Sequence, residues 1–136
     1  MGKHAGEVNM ISDTIADMLA RIRNVSLLGR KKVTVRPSKF SKNVLSVLKK
    51  EGFINGYEDV ESGILVHLKY YDGYPVIRGM RKVSKPSVRI YYKAKDLKHI
   101  RKKRFGIMVV SSSMGVLSDI ECRRRNIGGE AVCEVY

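Results

Sequence analysis

Residues 111–119 read SSSMGVLSD, three hydroxyls in a row directly after the apolar run Ile107-Met108-Val109-Val110. A hydroxyl both donates and accepts a hydrogen bond, so Ser111, Ser112 and Ser113 could match a ribose 2′-OH or a base edge. Gly115 and the Gly128-Gly129 pair lack side chains that would hold a nucleic-acid backbone away. A second group is cationic. Between Arg78 and Arg104 twelve Lys or Arg stand against one acid, Asp96, and Tyr91 and Tyr92 lie among them. Phosphate attraction beside an aromatic plane suits RNA, whose unpaired bases can stack. Each group also has a plainer reading. Serine-rich turns are common, and for 111–113 taken alone an ordinary turn is the more economical account. A basic run is usually a solvated face, although this excess is larger than solubility requires. Tyr91 fits cross-strand packing as well as it fits stacking.

Other chemistries do not assemble. His4, His67 and His99 are scattered, and none has a His or Cys partner at metal-site spacing. No G-x-S-x-G elbow surrounds the serines, and no Gly-rich loop ends in Gly-Lys-Ser/Thr. The expectation is a protein without catalytic residues, metal or cofactor. Cys122 and Cys133 are read as reduced, packed thiols. In 136 residues the chain carries 27 Lys or Arg and 13 Asp or Glu, for a net charge of +14. That implies a polyanionic partner, nucleic acid or an acidic membrane surface. No apolar run approaches a membrane span, the N-terminus has no hydrophobic signal core, and Gly2 lacks a myristoylation context. A soluble, intracellular protein is expected.

The elements that must position these residues follow from local pattern. Residues 1–11 read as a loose arm, with Ser12 or Asp13 capping a helix through Ile15, Met18, Leu19, Ile22 and Val25, and Arg21 and Arg23 in its last turns. Residues 32–36 alternate as a strand. A second helix starts at Ser38 or Ser41 and ends at Gly52. Residues 53–60 and 64–71 bracket Glu61-Ser62-Gly63 as a hairpin. Asp72-Gly73-Tyr74-Pro75 is the candidate boundary between an N-terminal α+β domain, 8–73, and a C-terminal RNA-binding α+β domain, 74–136. In the latter, strands are expected at 76–83, 88–92 and 105–110. Val88, Ile90 and Tyr92 should face inward, Arg89 and Tyr91 outward. A helical turn is expected near 96–100. Ser118-Asp119-Ile120-Glu121 has capping-box spacing, Asn126 can supply a left-handed exit, Gly128-Gly129 reads as a turn, and 131–136 as the last strand. The fold class is α+β in two small domains: helix-strand-helix-strand-strand, then an antiparallel sheet with one short helix.

VVSSSMGVLSDIECRRRNIGGEAVCEVY resembles the terminal signature of the small-subunit ribosomal protein S-eight family: a Ser-Thr-Ser loop with Gly, a short helix, Gly-Gly-Glu, and a last strand. SDTIADMLARIRN is similar to that family's opening helix, LKKEGFI to the end of its second helix, and KVSKPSVRIYY to its middle segment. The resemblance covers residues 12–136. It implies a structural RNA-binding protein of the bacterial-type ribosome, cytoplasmic or organellar. Such a protein binds a helix in the central domain of 16S-type rRNA, contacts neighbouring small-subunit proteins, supports subunit assembly and, in bacteria, can repress its own messenger. The family's contact loop falls on Ser111, Ser112, Ser113 and Gly115, its outward tyrosine on Tyr91, and its Gly-Gly-Glu on Gly128, Gly129 and Glu130. Lys85, Arg89, Arg81 and Lys82 are the accompanying phosphate contacts expected from the basic stretch. Met114 stands where many members carry Lys or Gln, Ser87 where Gly is usual, and Arg101-Lys102-Lys103-Arg104 is more basic than the usual loop. With cations on neighbouring segments, the serine loop can be uncharged: phosphate contacts position, closer contacts specify. The alternative is a peripheral protein on an anionic membrane, which would need a basic helix with a bulky free apolar face.

Overall fold

The computed structural model describes the backbone of residues 2–101 and 106–136, and the side chains of residues 13–100 and 106–136. Lys102-Lys103-Arg104 and Phe105 lie outside the described residues. The chain divides into two compact units, Met1–Arg78 and Gly79–Tyr136, and the fold is α+β throughout.

The first unit carries α1 (Gly2–Leu27), β1 (Lys32–Val35), α2 (Lys39–Lys50), β2 (Ile54–Val60), β3 (Gly63–Leu68) and a small hairpin, β4 (Tyr70–Tyr71) with β5 (Tyr74–Pro75). The sheet order is β1-β3-β2, antiparallel. Ile15, Met18, Leu19 and Ile22 of α1 are buried, as are Val44, Leu45, Val47 and Leu48 of α2 and Ile64, Val66 and Leu68 of β3. The α2 start is chemical: the Ser38 hydroxyl accepts from the Ser41 N–H at 2.9 Å, satisfying a donor with no intrahelical partner. Both helices end at a left-handed glycine. Gly29 (φ 72°) and Gly52 (φ 82°) donate to Ser26 and Lys49, and the following Arg30 and Phe53 donate to Val25 and Leu48. These are the paired bonds of a Schellman motif.

The second unit carries β6 (Met80–Lys82), β7 (Tyr91–Tyr92), α3 (Ala94–Arg101), β8 (Ile107–Ser112), β9 (Gly115–Ser118), α4 (Asp119–Arg124) and β10 (Gly129–Val135). Its sheet runs β6-β10-β8-β9, and β7 shares the β6 side of β10. One sheet face takes α3 and α4: Leu97 and Cys122 pack with Met108, Val110 and Ala131, and Ile90, Tyr92, Leu117 and Ile127 join them. The Ser118 hydroxyl caps α4 by accepting from Glu121 N–H at 3.1 Å. Asn126 (φ 56°) closes its far end with the same two bonds seen at Gly29 and Gly52.

Several expectations are corrected. Helix α1 starts at Gly2 rather than at a Ser12 cap. Residues 2–11 contain no proline and several good formers, and extending an existing helix costs little per residue. Its end at Leu27 leaves Arg21 and Arg23 short of the last turn, and Arg21 pairs instead with Asp17 at 2.9 Å. Residues 76–83 and 88–92 form only the short strands β6 and β7, because Lys85 and Val88 bridge each other across a tight turn. Val88 sits in that turn and is 57% exposed, so only Ile90 and Tyr92 face the core. Strand β9 is an addition, and the helical turn expected near 96–100 is a full helix, α3 (Ala94–Arg101), beside the one short helix expected in this unit. Gly128-Gly129 is not a turn: Gly129 opens β10. Asp72-Gly73 forms the β4–β5 turn within the first unit, and the division between units falls after Arg78.

Candidate nucleic-acid interface

Register decides which side chains share a surface. Glu130 is the direct partner of Tyr91 on one side and of Ser111 on the other, and Ser111 in turn opposes Val116. Directly opposed residues of antiparallel strands point to one face. Tyr91, Glu130 and Ser111 therefore form a row on the face opposite Val110 and Ala131, which pack against the helices. Tyr91 is 67% exposed.

The next row along, Tyr92, Gly129, Ser112 and Gly115, brings the serine hairpin to the same end of the sheet. Strand β8 continues through Ser111 and Ser112, so the turn proper is Ser113-Met114. The three serines differ in what they do. The Ser112 hydroxyl donates to the Gly115 carbonyl at 2.7 Å and accepts from Met114 N–H at 3.2 Å, so it holds the turn together. Ser111 is half-buried and Ser113 exposed. Neither hydroxyl has a hydrogen-bond partner among the described residues. Met114, at the tip, is 57% exposed. Gly115 (φ 106°) needs glycine for its backbone. Gly128 and Gly129 are fixed by close approach: a Cβ would run into the Tyr92 carbonyl oxygen at the first and the Ser111 carbonyl oxygen at the second.

The cations are distributed unevenly. Lys85 lies in an exposed turn, 85–88, on the β10 edge. Ser84, a buried residue with no distinguishing sequence signal, pins that turn: its hydroxyl accepts from Ile90 N–H at 2.9 Å, while Val83 and Ser84 donate to Val132 and Ala131 of β10. Arg89 reaches the row and pairs with Glu130 at 3.2 Å. Arg81 and Lys82 lie at the other end of β10, opposite Glu134 and Cys133. Arg81 is held by Glu134 at 2.8 Å, and its register with Met108 places it on the helix-bearing face. The structure thus gathers Tyr91, Arg89, Glu130, Ser111, Ser112, Ser113, Gly115, Gly128 and Gly129 at one end of the sheet, with Lys85 on its edge. Arg81 and Lys82 stand apart. On α4, Arg124 pairs with Glu121 at 2.9 Å, a cluster the basic stretch 78–104 does not include.

The cysteines are free and buried, Cys122 on α4 and Cys133 on β10. Burial pushes Cys133 up to about 12. Burial, then the Asp119 carboxylate, raises Cys122 to about 11. Both are thiols, not thiolates, near neutrality. Among the described residues no group of three His, Cys, Asp or Glu is placed to hold a metal, and no helix is long and apolar enough to cross a membrane.

These features define a strongly basic two-unit α+β protein offering hydroxyls, an exposed tyrosine and cations at one end of a sheet. The family model for ribosomal protein S8 matches residues 13–136, and the chain belongs to that family. Relatives named small ribosomal subunit protein uS8 bear it out. That of Paracoccus denitrificans is 45% identical over 131 residues, spanning 93% of this chain and 98% of the relative. The Hyphomonas neptunium protein is 43% identical over 130 residues, with 93% and 98% covered. The Oleidesulfovibrio alaskensis protein is 41% identical over 127 residues, with 93% and 100% covered.

Proposed function

We propose that this protein is a structural constituent of the small subunit of a cytoplasmic ribosome, without catalytic activity. Its second unit binds a helical element in the central domain of small-subunit rRNA during assembly, beside neighbouring small-subunit proteins. The carrying observation is the row Tyr91–Glu130–Ser111 with the Ser113-Met114 turn at its end. Lys85 and Arg89 supply phosphate attraction there, while Arg81 and Lys82, at the far end of β10, add only to the long-range positive field. The hydroxyls of Ser111 and Ser113 meet ribose or base edges, and Tyr91 offers a stacking plane. Ser112, Gly128 and Gly129 shape the surface from behind. A messenger folded like the rRNA element would compete for the same surface, which is how the protein would repress its own translation. The membrane alternative is disfavoured because the apolar side of the basic helix α3, Leu97 and Ile100, is packed in the core.

Salt titrations of the full chain on a fragment of the central-domain rRNA and on a scrambled RNA test this. Ser113→Ala should cost roughly 1–3 kcal/mol on the rRNA fragment, the penalty of leaving a polar partner unsatisfied, with an unchanged salt slope and little loss on the scrambled RNA. An undiminished affinity for the rRNA fragment returns Ser113 to the role of a turn residue. Equal, weak binding of both RNAs by the wild type would remove specific rRNA recognition altogether.

A further inference from the structure

Between β4 and β5 the chain turns through Asp72 (φ 52°) and Gly73 (φ 82°). Two successive left-handed residues make a type I′ turn, whose twist matches that of the strands. Tyr71 and Tyr74 are thereby direct cross-strand partners, so their rings leave the same face of a short, tightly closed hairpin. They are 79% and 69% exposed. The hairpin base is tied by Val76 N–H donating to the Lys69 carbonyl at 2.9 Å. Beside the rings lies a cleft of about 530 Å³ whose walls include both tyrosines, Asp72, Lys69 and Arg78. Neither Lys69 nor Arg78 has an ion-pair partner among the described residues.

We propose that this cleft of the first unit is a second RNA contact that takes one unpaired nucleotide, its base against Tyr71 or Tyr74 and its phosphate toward Lys69 and Arg78. The proposal rests on the reading above only for the class of partner; none of its residues belongs to the surface assigned to the second unit. Aromatic rings beside a cationic track are the means by which proteins hold single-stranded nucleic acid without reading its sequence. The charge balance favours a nucleotide over a protein segment. An apolar protein knob would bury two cations with only Asp72 nearby, which is costly, whereas a nucleotide brings its own neutralising phosphate.

The test uses the full chain, a uridine decamer as unstructured probe, and the central-domain rRNA fragment as structured probe. Tyr71→Leu/Tyr74→Leu should weaken decamer binding by roughly 5- to 150-fold, the range of one lost base stack. Tyr71→Phe/Tyr74→Phe should bind as wild type, since phenyl rings stack too. Ultraviolet crosslinks from the decamer should map to residues 71–74. If the leucine variant fails to fold, Lys69→Ala/Arg78→Ala is read in its place, with weaker decamer binding expected. Unchanged decamer affinity in a folded variant, crosslinks confined to the second unit, or a phenylalanine variant as weak as the leucine one overturns the proposal. So does intact RNA binding with lost incorporation into subunits, which would make the cleft a protein dock. Specific rRNA binding through the second unit is scored separately, by Ser113→Ala on the structured probe, so either site can fail alone.

Discussion

Gly129 shows how a residue near the proposed contact surface acts through packing. A Cβ there would drive into the Ser111 carbonyl oxygen, pushing apart the two strands that carry Glu130 and Ser111. Gly129→Ala should therefore destabilise the protein by roughly 1–3 kcal/mol, the usual range for overpacking, as read from the urea midpoint. A variant as stable as wild type would mean that β8 and β10 separate without cost. The cysteines give a pH prediction. Their folded values of about 11 and about 12 lie above the ordinary thiol value of 9.0, so the folded state holds its protons more tightly than the unfolded one. The stabilisation is complete below pH 9 and is lost as pH rises from there through 11 to 12. Cys122→Ser/Cys133→Ser, compared with wild type by chemical denaturation across that range, should show a shallower decline. Parallel declines would place the alkaline sensitivity elsewhere.

At the scale of elements, α4 is anchored twice. Ser118 caps it, and the Asp119 carboxylate accepts from the Met108 N–H at 3.1 Å in a buried setting. That bond ties the helix to β8, the strand leading into the serine hairpin. Ser118→Ala should cost about 1 kcal/mol, and Asp119→Ala roughly 1–3 kcal/mol because it leaves a buried N–H unsatisfied. Thermal melts of both check the order; equal losses would mean that water reaches Met108 N–H. Such caps were legible in sequence because capping is local: Ser38, Ser118, Gly52 and Asn126 all announce themselves within a few residues. The Glu61-Ser62-Gly63 hairpin was legible for the same reason. Strand β9 was not. Its four residues lie between a turn signal and a cap signal, leaving only Val116-Leu117 to suggest a strand. Val88 misleads because alternation assumes a continuous strand, and the Lys85–Val88 turn interrupts it. The candidate surface divides along similar lines. Hydroxyls, tyrosine and cations could be read as types, but the alignment of Tyr91 with Glu130 and Ser111 depends on β10 lying between β7 and β8. That pairing joins segments nearly forty residues apart.

For the whole molecule, a net charge of +14 guarantees long-range attraction to any polyanion. The informative quantity is how many charges lie at the interface. At physiological salt, screening acts over about 8 Å, so cations remote from the phosphates contribute little to the salt slope. Local pairing matters as well. Arg81 sits 2.8 Å from Glu134, and deleting it exposes a carboxylate already turned toward the helix-bearing face. Lys85 stands in an open turn with no ion-pair partner among the described residues. Lys85→Ala should therefore reduce the magnitude of the slope of log affinity against log salt by about 1, and do so alike on the rRNA fragment and on scrambled RNA. Arg81→Ala should reduce it by clearly less. Glu130→Gln, which releases the Arg89 guanidinium, should steepen the slope and strengthen scrambled-RNA binding, with specificity falling as non-specific affinity rises. Fluorescence anisotropy across a salt series measures all three variants. A loss for Arg81→Ala equal to that for Lys85→Ala would extend the interface to the far end of β10. An unchanged slope for Glu130→Gln would show that the Arg89–Glu130 pair already opens when RNA binds.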